Sequence, residues 1–101
     1  MNVSFQSKWL LELYETGNSK KLRKYPAGIA DSFFEVMQII ESIDTIQDLF
    51  AFPSLRFEHL SGKRQHQHSL RLNKQFRLIV QLDNINTPSM FTIIDIEDYH
   101  K

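Results

Sequence analysis

The 101-residue sequence is 42% hydrophobic and 24% charged and contains no cysteine, which is enough apolar material for one buried core, so residues 1–101 are expected to form a single domain. Disulfides and thiolate metal sites are thereby excluded, and a reducing compartment such as the cytoplasm suits every residue present. Twelve Lys and Arg balance twelve Asp and Glu, which argues against a protein that coats nucleic acid indiscriminately, and no apolar run or leader-like opening points to membrane insertion or secretion.

In chain order, Val3 and Phe5 alternate with polar neighbours as a short strand. Ser7 then suits the cap of a helix carrying Trp9, Leu10, Leu13 and Tyr14 on one side, and Gly17 suits its end. The connector NSKKLRKYP is basic and reads as solvated, with a phosphate contact as the alternative use. From Pro26 to Ile43, the residues Ile29, Phe33, Val36, Met37, Ile40 and Ile43 repeat with the helical period and predict the main helix, with Pro26 in its first turn. Asp44 and Thr45 suit the start of a short helical turn ending near Phe50, and FPSL leads into strands. Beyond Arg56 the period becomes two. RFEHL is expected to be a strand, HQHSLRLNKQFRLIVQLD a hairpin and MFTIIDI a last strand. The layout is α+β: a short N-terminal strand and two to three helices packed on a mainly antiparallel sheet.

The hairpin permits a sharper expectation. Residues directly opposite one another across antiparallel strands point to the same face. Leu70, Leu72, Phe76 and Leu78 gather on one face only if Leu72 pairs with Phe76 and Leu70 with Leu78, around a loop of Asn73, Lys74 and Gln75. A slip of one residue would turn an apolar set outward. The same register sets Arg71 opposite Arg77, and like charges facing each other destabilise a sheet by roughly 0.2 to 1 kcal/mol. An anion between them would relieve this. It is either a carboxylate such as Glu58 or a phosphate, whose oxygens match the guanidinium fork.

Charge is unevenly spread. Arg56, Lys63, Arg64, Arg71, Lys74 and Arg77, with His59, His66 and His68, stand against the single acid Glu58 in that stretch. A local basic surface is expected there, an ordinary charged sheet face being the plainer reading. The chain ends IDIEDYHK, and His100 is a residue type that exchanges protons near neutral pH, with Asp98 and Tyr99 beside it to orient the ring. His66 and His68 share one face of a strand, but with no third ligand and no HExxH pattern a metal site is not expected. Phosphate-binding glycine loops and the GxSxG turn are absent.

These pieces, namely the opening VSFQSKWLLELYETG, then LSG, SLRLN, QFRL and a final DYH in that order, resemble the HigB-type toxins of bacterial type II toxin–antitoxin modules, in the RelE/ParE superfamily. The resemblance spans nearly the whole chain. It implies a compact helices-on-sheet toxin acting as a ribosome-dependent endoribonuclease that cuts messenger RNA in the A site without metal or cofactor. It also implies a cognate HigA-like antitoxin, typically with a helix-turn-helix domain, through which alone the toxin meets operator DNA. Family roles fall on Arg77, Asp98, Tyr99 and His100, and on Arg71 and Asn73 of SLRLN. Arg56, Lys63, Arg64, Asn73 and Lys74 are the expected contacts to RNA or the ribosome. Some members carry a lysine directly before the glycine of LSG, where this chain has Ser61. RNA chemistry suits the same residues, since the 2′-OH is a built-in nucleophile that needs a base, an acid for the leaving 5′-oxygen and cations for the charge on phosphorus. Two other readings remain open: a ParE-like toxin that binds DNA gyrase without catalysis, and a degenerate homologue that only binds its antitoxin.

Overall fold

The computed structural model describes residues 1–64, 66–84 and 86–99. The alternating opening residues form β1 (Asn2–Phe5). Ser7 then caps α1 (Lys8–Thr16), its hydroxyl accepting from the Leu10 amide, and Gly17 ends the helix in the left-handed region at φ 81°, a conformation that costs a side chain about 1 kcal/mol or more. The basic connector folds as a 3-10 turn, Lys20–Lys24. The main helix, α2, spans Ile29–Ser42, shorter than the expected Pro26–Ile43. Gly28 has φ 92° and Ile29 bonds back to the Pro26 carbonyl, so Pro26 sits in a turn ahead of the helix. A 3-10 turn at Ile46–Ala51 follows, opened by a reciprocal cap between Thr45 and Asp48.

Four strands complete the sheet: β2 (Glu58–His59), β3 (Gln67–Arg71), β4 (Phe76–Leu82) and β5 (Met90–Asp98). Their order is β1-β5-β4-β3-β2. β1 lies parallel to β5, Asn2 opposite Met90 and Phe5 opposite Ile93, and the other three pairings are antiparallel. The fold is therefore the expected helices on a mainly antiparallel sheet. The RFEHL strand shrinks to two residues because Arg56 takes a left-handed conformation, φ 44°, just ahead of it. At a sheet edge a strand that short offers little to pair with another chain.

The core lies between the helices and one sheet face. Leu10, Leu13, Phe33, Met37 and Ile40 come from the helices, and Leu70, Leu78, Val80, Phe91 and Ile93 from the strands. Alternation sends Leu70, Phe76, Leu78 and Val80 to that side. Arg77 and Ile79 point the other way yet are also buried. Trp9 is only partly buried. Its ring stacks on Tyr25 at 5.3 Å and its indole N–H donates to Asp95. At the edge of the core Phe57, His68 and His59 form one stack, with ring centroids 4.8 and 4.7 Å apart. No helix among the described residues is long and apolar enough to cross a membrane.

Burial predicts an asymmetry between two phenylalanines. Phe33 is 0% exposed and Phe50 is 68% exposed. Phe33→Ala should cost about 3–5 kcal/mol in urea unfolding, whereas Phe50→Ala should stay within about 0.5 kcal/mol of the wild type. Equal losses would contradict the assigned core.

Candidate active site

The hairpin adopts the register that its apolar residues demand: Leu70 faces Leu78, and Arg71 faces Arg77. Asn73 closes the loop, its side-chain oxygen accepting from the Gln75 and Phe76 amides at 2.8 and 2.7 Å. The two arginines avoid each other by turning to separate partners. Arg71 Nε donates to the Asn73 carbonyl at 3.1 Å. Arg77 Nε donates to Ser69 Oγ at 2.7 Å, and its Nη2 to the carbonyls of Ser69 and Arg56. Arg77 is only 7% exposed. Burial pulls its guanidinium below the ordinary arginine value, Glu58 and Tyr99 oppose this, and the charges of Arg71 and Arg56 add to the lowering. Arginine starts so high that the group stays cationic at neutral pH.

The end of β5 meets the hairpin at this point. Phe76 lies opposite Asp98 and Arg77 opposite Glu97. One residue further, the Tyr99 amide donates to the Gln75 carbonyl at 2.6 Å, and the Gln75 side chain donates to Asp98 at 3.0 Å. The Tyr99 ring stands 5.7 Å from the Arg77 guanidinium carbon, within cation–π range, and remains 37% exposed. Arg56, Glu58, Arg71, Asn73, Lys74, Arg77 and Tyr99 together line an open concavity of about 270 Å³. Three larger hollows among the described residues, of about 390, 400 and 590 Å³, lie under the Ile46–Ala51 turn, between α2 and the hairpin loop, and beside Met1–Val3 and Tyr14. None collects as many cations, so chemistry rather than size singles out this one.

Of the residues expected at a site, Arg56, Arg71, Asn73, Lys74, Arg77 and Tyr99 border the concavity, and Asp98 sits beside it on Gln75. Lys63 and Arg64 lie in the turn Gly62–Arg64, which is not part of its lining. Arg64 is instead held in a two-pronged ion pair with Glu97, at 2.9 and 2.6 Å. His100 lies outside the described residues. No ion pair joins Glu58 to Arg71 or Arg77 among the described residues; Glu58 nevertheless lines the concavity with both. His68 is buried against Phe57 and His59 while His66 is exposed, and among the described residues no three His, Asp or Glu side chains are placed to hold a metal ion.

Two participants escaped the sequence reading. Ser69 faces the same side as Arg71 and is the diagonal neighbour of Arg77, so the register alone would have disclosed it. The Arg56 carbonyl acts through a left-handed backbone, for which an arginine gives no signal.

The family model described as the RelE-like toxin of type II toxin-antitoxin system HigB matches residues 3–98. The toxin HigB-1 of Vibrio cholerae is 38% identical over 81 residues, covering 80% of this chain and 83% of that protein. Among solved structures, a YafQ mutant from E. coli superposes with a TM-score of 0.61 at 7% identity, over 97% of this chain and 92% of that one. The Staphylococcus aureus YoeB–YefM complex gives a TM-score of 0.59 at 15% identity, over 100% of this chain and 98% of that one. At such identities the structural likeness speaks for the fold alone.

Two measurements probe the packing around the site. Ser69→Ala leaves the buried Arg77 Nε without its acceptor and should cost about 1–3 kcal/mol of stability. Burial, and secondarily the neighbouring His59, pull the His68 pKa down to about 4. An unfolded histidine titrates near 6.5, so the stability from keeping this ring neutral is complete above that pH. It falls as pH drops through the window toward 4, by about 3 kcal/mol in all. Urea midpoints across that window should fall less steeply in His68→Leu, and parallel slopes for the two proteins would refute the assignment.

Proposed function

Because the chain belongs to the HigB-like family, the RelE-like toxins of type II toxin–antitoxin systems, we propose that it is an endoribonuclease that cuts messenger RNA in the ribosomal A site and thereby stops translation. The observation that carries this reading is the concavity in which the buried, cationic Arg77 fork, the exposed Tyr99 ring, Arg71 and Lys74 converge. That set has the size and charge of a site for one phosphodiester.

The reaction needs no nucleophile from the protein. The 2′-OH of the nucleotide attacks the adjacent phosphorus, a base takes its proton, and the 5′-oxygen leaves as it gains a proton. Negative charge builds on the non-bridging oxygens as the bond order at phosphorus rises, and fixed cations in a partly desolvated setting stabilise it most. In the proposal Arg77 fills that role, already oriented by Ser69 and the Arg56 carbonyl, with Arg71 beside it. Tyr99 stacks on a base or positions the strand, and Asp98 orients its neighbours through Gln75. His100, directly after Tyr99, transfers a proton. Glu58 is the one carboxylate among the residues lining the concavity, and it is the group there suited to take the 2′-OH proton. Asn73, Lys74 and Arg56 contact the RNA backbone at the rim, and Lys63 reaches the ribosome from the neighbouring turn. Arg64 contributes to that surface only as far as Glu97 releases it.

In the Staphylococcus aureus structure YoeB is in complex with YefM, and by analogy this toxin is held in check by a cognate antitoxin of HigA type with a helix-turn-helix domain. Operator DNA is reached through that partner. Its place of work is the cytoplasm, where ribosomes supply the substrate.

Primer extension on messenger RNA after brief induction tests the reading. Wild type should give codon-phased cuts that require active translation. Arg77→Lys, which keeps the charge and loses the guanidinium hydrogen bonds to Ser69 and the Arg56 carbonyl, should cut at least about 100-fold more slowly and melt at a lower temperature, and His100→Gln should abolish the cuts with unchanged melting. Growth arrest with intact messenger RNA in the wild type would instead indicate a gyrase-binding toxin, and harmless overexpression of folded wild type a degenerate one.

A further inference from the structure

The chemistry above leaves one buried polar group unused. His68 is 9% exposed, and Phe57 and His59 stack on its ring at 4.8 and 4.7 Å, so its polar edge is what remains to be met. Nδ1 on that edge is buried and has no hydrogen-bond partner among the described residues. An unmet polar atom in such a place costs stability unless something supplies the missing contact. His68 alternates with Ser69 along β3, which puts its ring on the helix-covered side of the sheet, away from the concavity.

His68 is also part of the wall of the hollow of about 390 Å³ under the Ile46–Ala51 turn. Small-molecule pockets run from roughly 300 to 1,000 Å³, so the volume suits a small ligand. The wall is electrically one-sided: among the described residues Asp44 lines it and no Lys or Arg does. Asp48, one turn further on, is already engaged, its carboxylate accepting from the Asp44 and Thr45 amides at 2.9 and 3.0 Å. The Asp44 carboxylate makes no ion pair with a described residue. Ile46, Leu82 and Pro88 supply the apolar part of the lining.

Two polar poles on an apolar wall each constrain the occupant. The carboxylate asks for a cation and turns anions away. Burial, and secondarily His59, hold the His68 pKa down to about 4, so at neutral pH the ring is uncharged, with one N–H and one bare nitrogen. Nδ1 and not Nε2 is the nitrogen shut in without a partner. The proton therefore belongs on Nε2, and Nδ1 is an acceptor that asks for an N–H.

We infer that this hollow binds a small aliphatic amine, with a cationic head at Asp44, a hydrocarbon stem on Ile46, Leu82 and Pro88, and an N–H donated to His68 Nδ1. The site does not depend on the nuclease reading, since the hollow shares no lining residue with the concavity.

The test is a titration of the 15N-labelled protein with 1,4-diaminobutane at pH 7 and constant ionic strength. The signals of His68 Nδ1 and of the Asp44, Thr45 and Thr87 amides should move together and saturate, and the melting temperature should rise with diamine concentration. Succinate, with the same number of carbons and the opposite charge, should leave those signals in place. Asp44→Asn retains the backbone bond to Asp48 and should weaken binding roughly threefold. Thr87→Trp, at an exposed position of the wall, should fill the hollow and abolish the shifts. Both variants should cleave messenger RNA as the wild type does, and a wild type that does not cleave leaves the titration just as decisive. A proton found on Nδ1 in the free protein would overturn the inference, as would the absence of saturable shifts, equal affinity in Asp44→Asn, or succinate binding in place of the diamine.

Discussion

A guanidinium taken out of water must be handed to other dipoles at once, and Arg77 is where this protein meets that demand. Desolvating a cation costs several kcal/mol unless acceptors replace the lost water. Ser69 contributes a hydroxyl and a carbonyl, and Arg56 a carbonyl that its left-handed backbone aims inward. These contacts engage Nε and Nη2 of Arg77 and hold its guanidinium beside the Tyr99 ring. The register of the hairpin, the short edge strand β2 and the tie between Tyr99 and Gln75 all bear on this one side chain. Disturbing any of them would re-aim it.

The sheet divides the labour between its faces. One face is apolar and covered by α1 and α2, and supplies the stability. The other carries Arg71, Arg77, Glu97 and Tyr99 at positions that strand alternation places on one side. Because Arg71, Arg77 and Glu97 stand on strands, and Tyr99 one residue beyond β5 is tied to the Gln75 carbonyl, their spacing is set by the pleat and by backbone hydrogen bonds. Preorganised charge acts most strongly where nothing has to move to meet the substrate. Glu97 illustrates the economy of this face: it is Arg77's cross-strand neighbour, yet Arg64 occupies it, and Arg77 remains unneutralised by any carboxylate within ion-pair reach among the described residues.

Much of this was readable from residue order. The even-numbered apolar positions of the hairpin admitted a single register, and burial enforced it. Ser7, Gly17 and Thr45 marked helix limits through their own side-chain or backbone chemistry, which is local and so legible. Gly28 shifted the start of α2 because its left-handed conformation answers to the turn before it. The parallel pairing of β1 with β5 depends on residues some ninety positions apart, and no local pattern reports such a contact. In the site, the cations were visible and their acceptors were not. A carbonyl has no sequence signature, and Ser69 mattered only once the diagonal across the hairpin was considered.

That long-range pairing bears on the order in which the protein comes into being. β5 lies between β1 and β4, so both neighbours keep an open hydrogen-bonding edge until Met90–Asp98 has emerged from the ribosome. A nascent chain carrying both helices and the hairpin still lacks the strand that seals the sheet and brings Tyr99 to Arg77. The cationic hollow is therefore assembled last, and on the nuclease reading the translating machinery that makes this poison is spared until its final strand is out.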